Sequence, residues 1–571
     1  MAASTTLPSQ SSARNSFPPD TWENLIFGFL LGVYLVPIWW FPHFPSQDGP
    51  GHLYNAYLLS GWWKSAFPID RSFFALNPAP VPNWLTSVLL ALLIKVTRPA
   101  RAEKILLTLY VIFLPVAMRY AARSVRSDAR YLYFLAFAFI YNWFFHLGML
   151  NFCLSLAWYL LFIGYWARNR DHLHARQMFV LLAITLPFYF SNGLSYYMAL
   201  GAVGILSIAY GFREFEPATW KQWCGKILKP QIGILLAIPL TLLYLALHGR
   251  NYHPSSLLPP TRMTWRDVSW SLSRLTVLTA STAKADLQWS HALAILLLIG
   301  FLLSCYCRRK KRRLLWTDSL LVVAAAQFVL YLIAPANGAG GSLLQARMIL
   351  FPLITFALWL IVQPIGKMPA FILAAAAVVL STVLVAFDVE RYVQLTPALE
   401  EFYATSSHIE QQATILPLEF GNGLGEKGRD LHLRYDPFLH AAGLISIERS
   451  LVDLNDYEAE SRNFPLVYKA GLDPSEIIGE GHEYAFPPVA HIGQYYRRTG
   501  RPVDYVLLWG VDEENSRAPA SQDIFHELAA NYVLIYSAPH TPLQLYRRRQ
   551  KGDKVEAAIV PGSIAGPHQN Q

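Results

Sequence analysis

One acid and one imidazole stand close together in a stretch of sequence that is otherwise apolar, aromatic and rich in Gly and Pro. In QDGPGHLYNAYLL, Asp48 lies four residues before His52. A carboxylate among apolar groups suits a general base, and if the stretch is helical, His52 lies about one turn further along the same face. Both residues also have a structural interpretation, because Asp before Gly-Pro starts turns and caps helices, and an interfacial His packs against Trp side chains.

The composition is that of a protein with many membrane crossings. Hydrophobic residues make up 54% of the chain and charged residues only 15%, and charge is costly in hydrocarbon. The net charge of +9 does not indicate nucleic-acid binding, because much of it lies in short runs between apolar segments, where basic residues set orientation. We therefore expect membrane lipids as partners and no nucleic acid.

Twelve apolar runs come near the ~20 residues that cross a bilayer as a helix. One of them, 84–97, is short and is flanked by Pro82, Lys95 and Arg98, which favours a helix lying in the membrane interface. The remaining runs predict eleven spans, at 24–41, 104–121, 131–146, 149–167, 177–190, 194–212, 231–247, 289–305, 318–334, 346–363 and 370–387.

Basic residues predict which side of the membrane each loop faces. The run RRKKRR at 308–313 is the strongest cytoplasmic signal, because loops rich in Lys and Arg stay inside. Counting back from it puts the N-terminus in the cytoplasm, with 1–22 as a disordered tail, and puts the long loops 42–103 and 248–288 outside. The prediction is a multi-pass integral protein of the plasma (inner) membrane.

Residues 388–571 have the composition of a soluble domain. VDYVLLWG (503–510) and NYVLIYSA (531–538) predict strands, and SQDIFHELAA (521–530) predicts a capped helix between them. The predicted fold is thus an all-α membrane bundle of about eleven transmembrane helices over 23–387. A periplasmic or extracellular C-terminal soluble α/β domain follows it.

With this architecture, the QDGPGHLYNAYLL stretch resembles the acid-containing first loop of the GT-C superfamily of integral-membrane glycosyltransferases, which includes protein O-mannosyltransferases and aminoarabinose transferases. The resemblance covers residues 24 to about 365 and implies a GT-C-like bundle that transfers a sugar from a polyprenyl-phosphate donor. The implied acceptor is a glycan, a lipid or a protein on the exoplasmic face. Relatives often carry two adjacent acids, whereas here Gly49 follows Asp48, so no cofactor and no metal site are predicted.

Inverting transfer of a sugar from a lipid phosphate needs few protein groups. A base takes the proton of the acceptor hydroxyl, and cations or hydrogen-bond donors stabilise the leaving phosphate, which needs no general acid. We predict Asp48 as the base and His52 as the group that orients it or contacts the sugar. Arg347, at the end of APANGAGGSLLQARM (334–348), is the first candidate for the phosphate because a guanidinium binds phosphate oxygens bidentately. Its alternative role is to mark a helix end.

Four further residues are candidates for substrate binding. Arg262 and Lys284 lie on the loop 248–288, whose positive charge runs against the usual bias. His146 and Asn151 lie in FFHLGMLNF, which matches the loop between the third and fourth helices where relatives often carry a functional group. Polar residues in such a loop also satisfy helix ends.

The C-terminal stretch RDLHLRYDPFLH gathers His432, Asp436 and His440. The residue types suit a metal site, but Pro437 interrupts the spacing and an ordinary polar loop is the simpler interpretation. Two other functions stay open: a catalytically inactive assembly factor with the same fold, and a lipid or solute transporter. An odd number of helices and few acids inside the spans count against transport.

Overall fold

Long apolar helices make up most of the fold, and a small sheet region lies near the C-terminus. The computed structural model describes residues 21–62, 70–212, 220–248, 264–309, 315–335, 343–421, 431–479 and 487–550. Its α-helices are α1 (Thr21–Trp40), α2 (Gly49–Gly61), α3 (Asp70–Phe73), α4 (Leu85–Ile94), α5 (Pro99–Val125), α6 (Trp143–His146), α7 (Leu150–Asn169), α8 (Ala175–Ser191), α9 (Gly193–Gly211), α10 (Trp220–Leu228), α11 (Ile234–His248), α12 (Trp265–Arg274), α13 (Lys284–Arg309), α14 (Ser319–Ile333), α15 (Leu344–Met348), α16 (Leu350–Ile361), α17 (Lys367–Ala404), α18 (Ala442–Arg449), α19 (Tyr457–Ser461), α20 (Pro474–Ile477), α21 (Ile492–Thr499), α22 (Glu513–Arg517) and α23 (Gln522–Asn531).

Eight helices within the described ranges are long and apolar enough to cross a membrane, or up to nine if Trp223–Gln231 and Ile234–Leu247, which meet at 42°, form one span. Length and composition thus indicate a helical multi-pass membrane protein, but the count is below the eleven predicted spans. The eight helices are Thr21–Trp40, Pro99–Val125, Leu150–Asn169, Gly193–Gly211, Lys284–Arg309, Trp316–Ile333, Leu344–Ile361 and Lys367–His408.

Two of the predicted spans form shorter apolar helices. Residues 177–190 lie in α8, which has 17 residues. Residues 131–146 break into a fully buried 3-10 helix, Leu132–Phe139, and the four-residue α6. Asn142 causes the break, because its side chain accepts hydrogen bonds from the first backbone N–H groups of α6. This segment is apolar because protein surrounds it, and composition alone does not separate that environment from lipid.

The broken segment nevertheless runs the length of α1. At one end the Tyr133 hydroxyl donates a hydrogen bond to Glu23, in the first turn of α1. At the other end the His146 carbonyl accepts a hydrogen bond of 3.0 Å from the backbone N–H of Gln47, which lies beyond the end of α1. Close helix contacts elsewhere use small residues, as where a Cβ on Gly164 would lie 2.8 Å from the Cα of Ala121.

The sheet region near the C-terminus contains the two predicted strands and the helix between them. Its five-stranded sheet has the order β3-β2-β5-β7-β6, with β2 parallel to β3 and β5, and the remaining pairs antiparallel. All seven strands of the described chain are β1 (Phe74–Leu76), β2 (Thr414–Glu419), β3 (Val452–Asp453), β4 (Leu466–Tyr468), β5 (Tyr505–Trp509), β6 (Tyr532–Ser537) and β7 (Leu543–Arg548). Residue 388, where the soluble domain is predicted to begin, lies inside the 38-residue α17.

The first long loop is built into this sheet region. Strand β1 pairs antiparallel with β4, so that Phe74 lies opposite Tyr468. Helix α2 has two buried faces, because Leu53 packs in the core of the helical bundle and Tyr54 packs in the core of the sheet region. Helix α2 is therefore one of the elements that join the two parts of the molecule.

Helix α4 forms within 84–97, as the sequence predicts, and has 10 residues. Its placement in the membrane interface stays a prediction.

Candidate functional site

Asp48 directly precedes α2, and its carboxylate is not used to cap that helix. The side chain makes no capping hydrogen bond, so capping does not explain why an acid stands at this position. Its Oδ1 atom instead accepts a hydrogen bond of 3.1 Å from the Gln47 side-chain amide. The backbone N–H of Asp48 donates to the Leu147 carbonyl at 3.1 Å, which lays the first loop along the segment that precedes α7.

Gly148 makes this close approach of two loops sterically allowed. Its φ is +81°, and a Cβ there would lie 2.7 Å from the Gly49 nitrogen and 2.9 Å from the Asp48 nitrogen. An L-residue is strained at such a φ, and no side-chain atom fits at these distances. The glycine in FFHLGMLNF is therefore part of the machinery that positions the acid.

Burial and neighbouring charges set the pKa of the Asp48 carboxyl. The residue is only 8% exposed, and burial raises the pKa of its carboxyl from 3.8 to about 6. The positive charge of His52, the hydrogen bond from Gln47 and the charge of Arg347 each oppose that rise, whereas Glu458 adds to it. A carboxyl group with a pKa near 6 is mostly ionised at neutral pH and still accepts a proton readily.

His52 lies one turn into α2 and contacts an acid from the far end of the chain. Its backbone N–H donates to the Asp48 carbonyl at 2.9 Å, and its Nδ1 atom contacts Oε1 of Glu458. Burial alone lowers the pKa of His52, but the Glu458 carboxylate, the charge of Asp48 and a backbone hydrogen bond to Gly148 outweigh burial and raise it. The site thus favours the charged form of His52 more than water does.

His440 approaches Asp48 from the C-terminal part of the chain. Its Nε2 atom is 3.7 Å from Oδ1 of Asp48, and its ring stacks on Tyr457 with centroids 4.2 Å apart. Burial, and then the positive charge of His52, lower the pKa of His440 to about 3. His440 is thus a neutral imidazole that borders the carboxylate. Asp436 of the same stretch reaches the site through its backbone N–H, which donates to the Gln47 side chain at 3.0 Å.

A cavity of about 10 Å³ lies between α2 and the C-terminal part of the chain. It has room for about one water molecule. His440, Asp453, Asn455 and Asp456 contribute to its lining. Burial raises the pKa of Asp453 to about 7. The Oδ1 atom of Asn455 and the Oδ2 atom of Asp456 are buried without a hydrogen-bond partner among the described residues. The C-terminal part of the chain thus adds polar groups to the neighbourhood of Asp48.

The sequence predictions missed this contribution. Glu458 and Asp456 lie in DLNDYEAE, a stretch whose charge density is typical of a solvated surface, and His440 was considered only for a metal site. No local signal marks them, because the partners of these residues lie in α2, and His52 and Glu458 are 406 residues apart. Only the folded structure shows that this acid-rich segment is buried.

Arg347 lies near Asp48, and its side chain has no ionic partner in the described part of the chain. The residue is in α15, at the start of the apolar helix Leu344–Ile361. Its guanidinium lies 5.8 Å from the centre of the Phe152 ring, and its Nε atom is buried without a hydrogen-bond partner among the described residues. The charge of Arg347 is close enough to Asp48 to lower the pKa of that carboxyl. Arg347 is thus within electrostatic reach of the acid.

His146 belongs to a different network within the helical bundle. Its Nε2 atom lies 2.6 Å from the Tyr392 hydroxyl and 3.5 Å from Oδ2 of Asp388, and its Nδ1 atom lies 3.1 Å from the Asn142 carbonyl. The imidazole is fully buried. Only the backbone of His146, through its bond to Gln47, contributes to the position of the acid.

Asn151 joins α4 to α7. Its side-chain oxygen accepts from the Thr86 backbone N–H at 2.9 Å, and its side-chain nitrogen donates to the Asn83 carbonyl at 2.7 Å. These bonds use the amide on both sides, so the geometry gives Asn151 a structural role at the N-terminal end of α4 rather than contact with a substrate.

Of the two candidates from the loop 248–288, the structure describes only Lys284. Lys284 is the exposed first residue of α13, and no described contact connects it with Asp48 or Arg347. Arg262 lies outside the described residues.

The position after Asp48 has no room for a second acid. A Cβ on Gly49 would lie 2.2 Å from the Ser46 hydroxyl and 2.9 Å from Oε1 of Glu103. The Glu103 side chain, from the fifth residue of α5, is buried and occupies that side of the loop. Within the described ranges, no three His, Cys, Asp or Glu side chains form a group that holds a metal ion.

An open groove lies at the opposite end of α2. It has a volume of about 490 Å³, and Tyr57, Lys95, Thr97 and Arg98 line it in part. Helix α2 has 13 residues, so the groove is about 20 Å from Asp48 at 1.5 Å per residue. The groove is therefore separate from the acid.

No protein-family model matches the chain. A search of curated proteins likewise found no matching sequence.

Proposed function

We propose that the chain is an integral-membrane glycosyltransferase of the GT-C type, which moves a sugar from a polyprenyl-phosphate donor to an acceptor with Asp48 as general base. The observation that carries the proposal is a buried carboxyl with a pKa of about 6 beside an arginine that has no ionic partner among the described residues. A base and a cation that forms no salt bridge with a described residue are the two protein groups that inverting transfer from a lipid phosphate requires.

The proposed step balances with these groups alone. The oxygen of the acceptor hydroxyl forms a bond to the anomeric carbon while the bond from that carbon to the phosphate oxygen breaks. The lipid phosphate leaves with the electron pair, and the hydroxyl proton passes to Asp48. Arg347 binds the phosphate, whose negative charge supplies the partner that this guanidinium lacks.

Helix α2 and the C-terminal sheet region, which both contribute to the proposed site, belong on the same side of the membrane. Helix α2 of the first loop is packed in the same core as the sheet region, and two elements in contact share a compartment. The basic run at 308–313 follows α13 and favours the cytoplasm for that end of the helix. We therefore propose that Asp48 and the C-terminal sheet region face the periplasm or the extracellular space, where polyprenyl-phosphate sugars are used.

The test is transfer by purified protein in lipid vesicles that contain a pool of polyprenyl-phosphate sugars and a mixed acceptor extract. Wild type is expected to consume the donor, and Asp48→Asn is expected to reduce transfer by at least about 100-fold, the lower range for loss of a general base. The matched control is Asp128→Asn, which removes the same charge from a side chain that is 66% exposed. Transfer by Asp48→Asn at the wild-type rate contradicts the assignment of the base.

Arg347 gives a second, independent test. Arg347→Ala is expected to weaken donor binding and to raise KM for the polyprenyl-phosphate sugar, and Arg347→Lys is expected to restore part of the loss because it keeps the charge without the fork of donors. Equal KM values for wild type and Arg347→Ala contradict phosphate binding at this residue.

One observation favours a second candidate, an assembly factor with the same fold and no activity of its own. Gly49 leaves no room for a second acid, and Asp48 is 8% exposed, so neighbouring groups must move before an acceptor reaches it. The same vesicle assay separates the two candidates, because an assembly factor leaves the donor pool unchanged.

A further inference from the structure

The strongest polar contact between α2 and the C-terminal part of the chain joins two side chains that are both buried. Nδ1 of His52 contacts Oε1 of Glu458, and Glu458 is fully buried. One turn along α2, the Asn55 amide donates to Oδ1 of Asp456 at 2.7 Å. A Cβ on Gly51 would lie 2.9 Å from the Tyr457 ring, so the segment that carries these acids is packed tightly against α2.

The His52–Glu458 contact brings two polar side chains together in a buried place. The second oxygen of Glu458, Oε2, is buried and has no hydrogen-bond partner among the described residues. His52 has two acceptors around its ring, the Glu458 carboxylate and the Gly148 backbone. Only the imidazolium form carries two N–H donors. Removing one partner leaves an uncompensated charge in a buried place, which is costly.

Three acids and one neutral imidazole lie near His52 in the described chain, and the acids favour its charged form. From its own loop comes Asp48, from α5 comes Glu103, and from the C-terminal part come Glu458 and the neutral His440. Glu458 is the partner in direct contact, whereas Asp48 and Glu103 act through space. The electrostatic effect of Glu458 on His52 is also larger than that of Asp48.

We propose that Glu458 is a positioning residue of the transferase site, which holds His52 as an imidazolium beside Asp48, so that the site is complete only when the C-terminal part of the chain is docked on α2. This role rests on the proposed transferase function, although the contact between the two side chains does not. The C-terminal part is then a component of the site and not only a cover over it.

The consequence for the proposed reaction is a second fixed cation next to the base. His52 favours the ionised form of Asp48, and Arg347 does the same from α15. Without the charge of His52, the carboxyl stays protonated to higher pH and a smaller fraction of the protein carries an active base. The expected signature is therefore a change in pH dependence and not a uniform loss of activity.

The first test reads the protonation of His52 directly and needs no activity. Full-length protein with ¹⁵N-labelled histidine is studied by NMR in detergent or nanodiscs, and the His52 signal is assigned as the one missing from His52→Gln. Wild type is expected to show a His52 midpoint above pH 6.5, the ordinary value. Glu458→Gln is expected to lower the midpoint by about 1–3 pH units, the usual effect of an adjacent opposite charge. An unchanged midpoint in Glu458→Gln overturns the proposal.

Two further variants keep the test decisive. Asp456→Asn removes a buried carboxylate of the same segment that bonds Asn55 and does not contact His52, so its His52 midpoint is expected to stay at the wild-type value. Glu458→Asp keeps the charge and is expected to keep a raised midpoint, and it replaces Glu458→Gln if the latter does not fold. A midpoint in Glu458→Asp below 6.5, or an equal drop in Asp456→Asn, refutes a specific role for Glu458.

The vesicle assay then separates this inference from the function on which it rests. For an active wild type, the acid limb of kcat/KM is expected to move to higher pH in Glu458→Gln and to return toward the wild-type position in Glu458→Asp. A normal limb together with a lowered His52 midpoint shows that the pair is structural only. A wild type that uses no polyprenyl-phosphate sugar, but in which Glu458 still sets the His52 midpoint, refutes the proposed function and leaves the ion pair standing.

Discussion

Asp48→Asn is expected to make the fold more stable at neutral pH while it removes activity. The ordinary pKa of this carboxyl is 3.8, and in the folded protein it is about 6. A raised pKa means that the fold favours the protonated form, so the associated stability is present below about pH 4 and is lost as pH rises through about 6. Asparagine carries no charge and does not show this loss.

The magnitude follows from the shift. A difference of about 2 pKa units at about 1.4 kcal/mol per unit corresponds to about 3 kcal/mol of stability that wild type lacks at pH 7. This is an upper limit for the gain in the variant, because Arg347 loses the carboxylate that partly balances its charge. The difference between variant and wild type is expected to be near zero at pH 4 and to reach its full size by about pH 7.

Unfolding in detergent at a series of pH values measures this difference. Loss of the helical circular-dichroism signal on heating suits the measurement, because most of the described elements are helices and the signal needs no reagent whose reactivity changes with pH. The unfolding midpoint of Asp48→Asn is expected to exceed that of wild type by a few degrees at pH 7 and to match it at pH 4.

Asp128→Asn is the control for this measurement. The hydrogen bond from Arg126 lowers the pKa of Asp128, so the fold favours its charged form, and Asp128→Asn is expected to show no gain at pH 7. A difference between Asp48→Asn and wild type that is the same at pH 4 and pH 7 refutes the idea that Asp48 is a buried acid with a raised pKa.

Three further predictions concern the same region. The acid limb of wild-type transfer is expected to be half-maximal at about pH 6, because Asp48 acts only when ionised; a limb near pH 4 argues against Asp48 as the base. Gly148→Ala is expected to lower stability by about 1–3 kcal/mol through strain and overlap with the Asp48 backbone, whereas Gly201→Ala, which has open space around its Cβ position, changes the unfolding midpoint little. Asn151→Ala is expected to lower the free energy of unfolding by about 1–3 kcal/mol because the buried Thr86 N–H loses its acceptor. The KM for the donor is expected to stay at the wild-type value. A raised KM at unchanged stability restores Asn151 as a substrate-binding residue.

Run length and apolar composition predicted the long continuous helices better than the broken segment. Thr21–Trp40 and Gly193–Gly211 match their predicted spans closely, because about 20 apolar residues have few alternatives to a spanning helix. The segment Leu132–His146 is just as apolar, but it is enclosed by protein and does not need one continuous helix. Which apolar residues meet lipid depends on packing between helices, and that information is spread over the whole chain.

The acid of the site was predictable, and most of its surroundings were not. Asp48 stands out because it is an acid in an otherwise aromatic, Gly-Pro-rich stretch, but only the structure shows that its side chain does not cap α2. The nearness of Arg347 was expected from loops on the same side of the membrane. Glu458 was not predictable, because its chemistry depends on a docking surface formed by α2 and the segment after β3. His146 was misread as a loop residue, since its partner Tyr392 lies on the distant α17.

The pairing of β1 with β4 has a consequence for how the protein is made. The ribosome must add about 400 residues after α2 before Glu458 emerges, which takes about 20–80 s at 5–20 residues per second. Throughout that time the first loop has one edge strand and one buried helix face with nothing to pair against. A nascent chain that stops early therefore carries an unfinished first loop, which exposes apolar and strand-forming surface to proteases and to other chains.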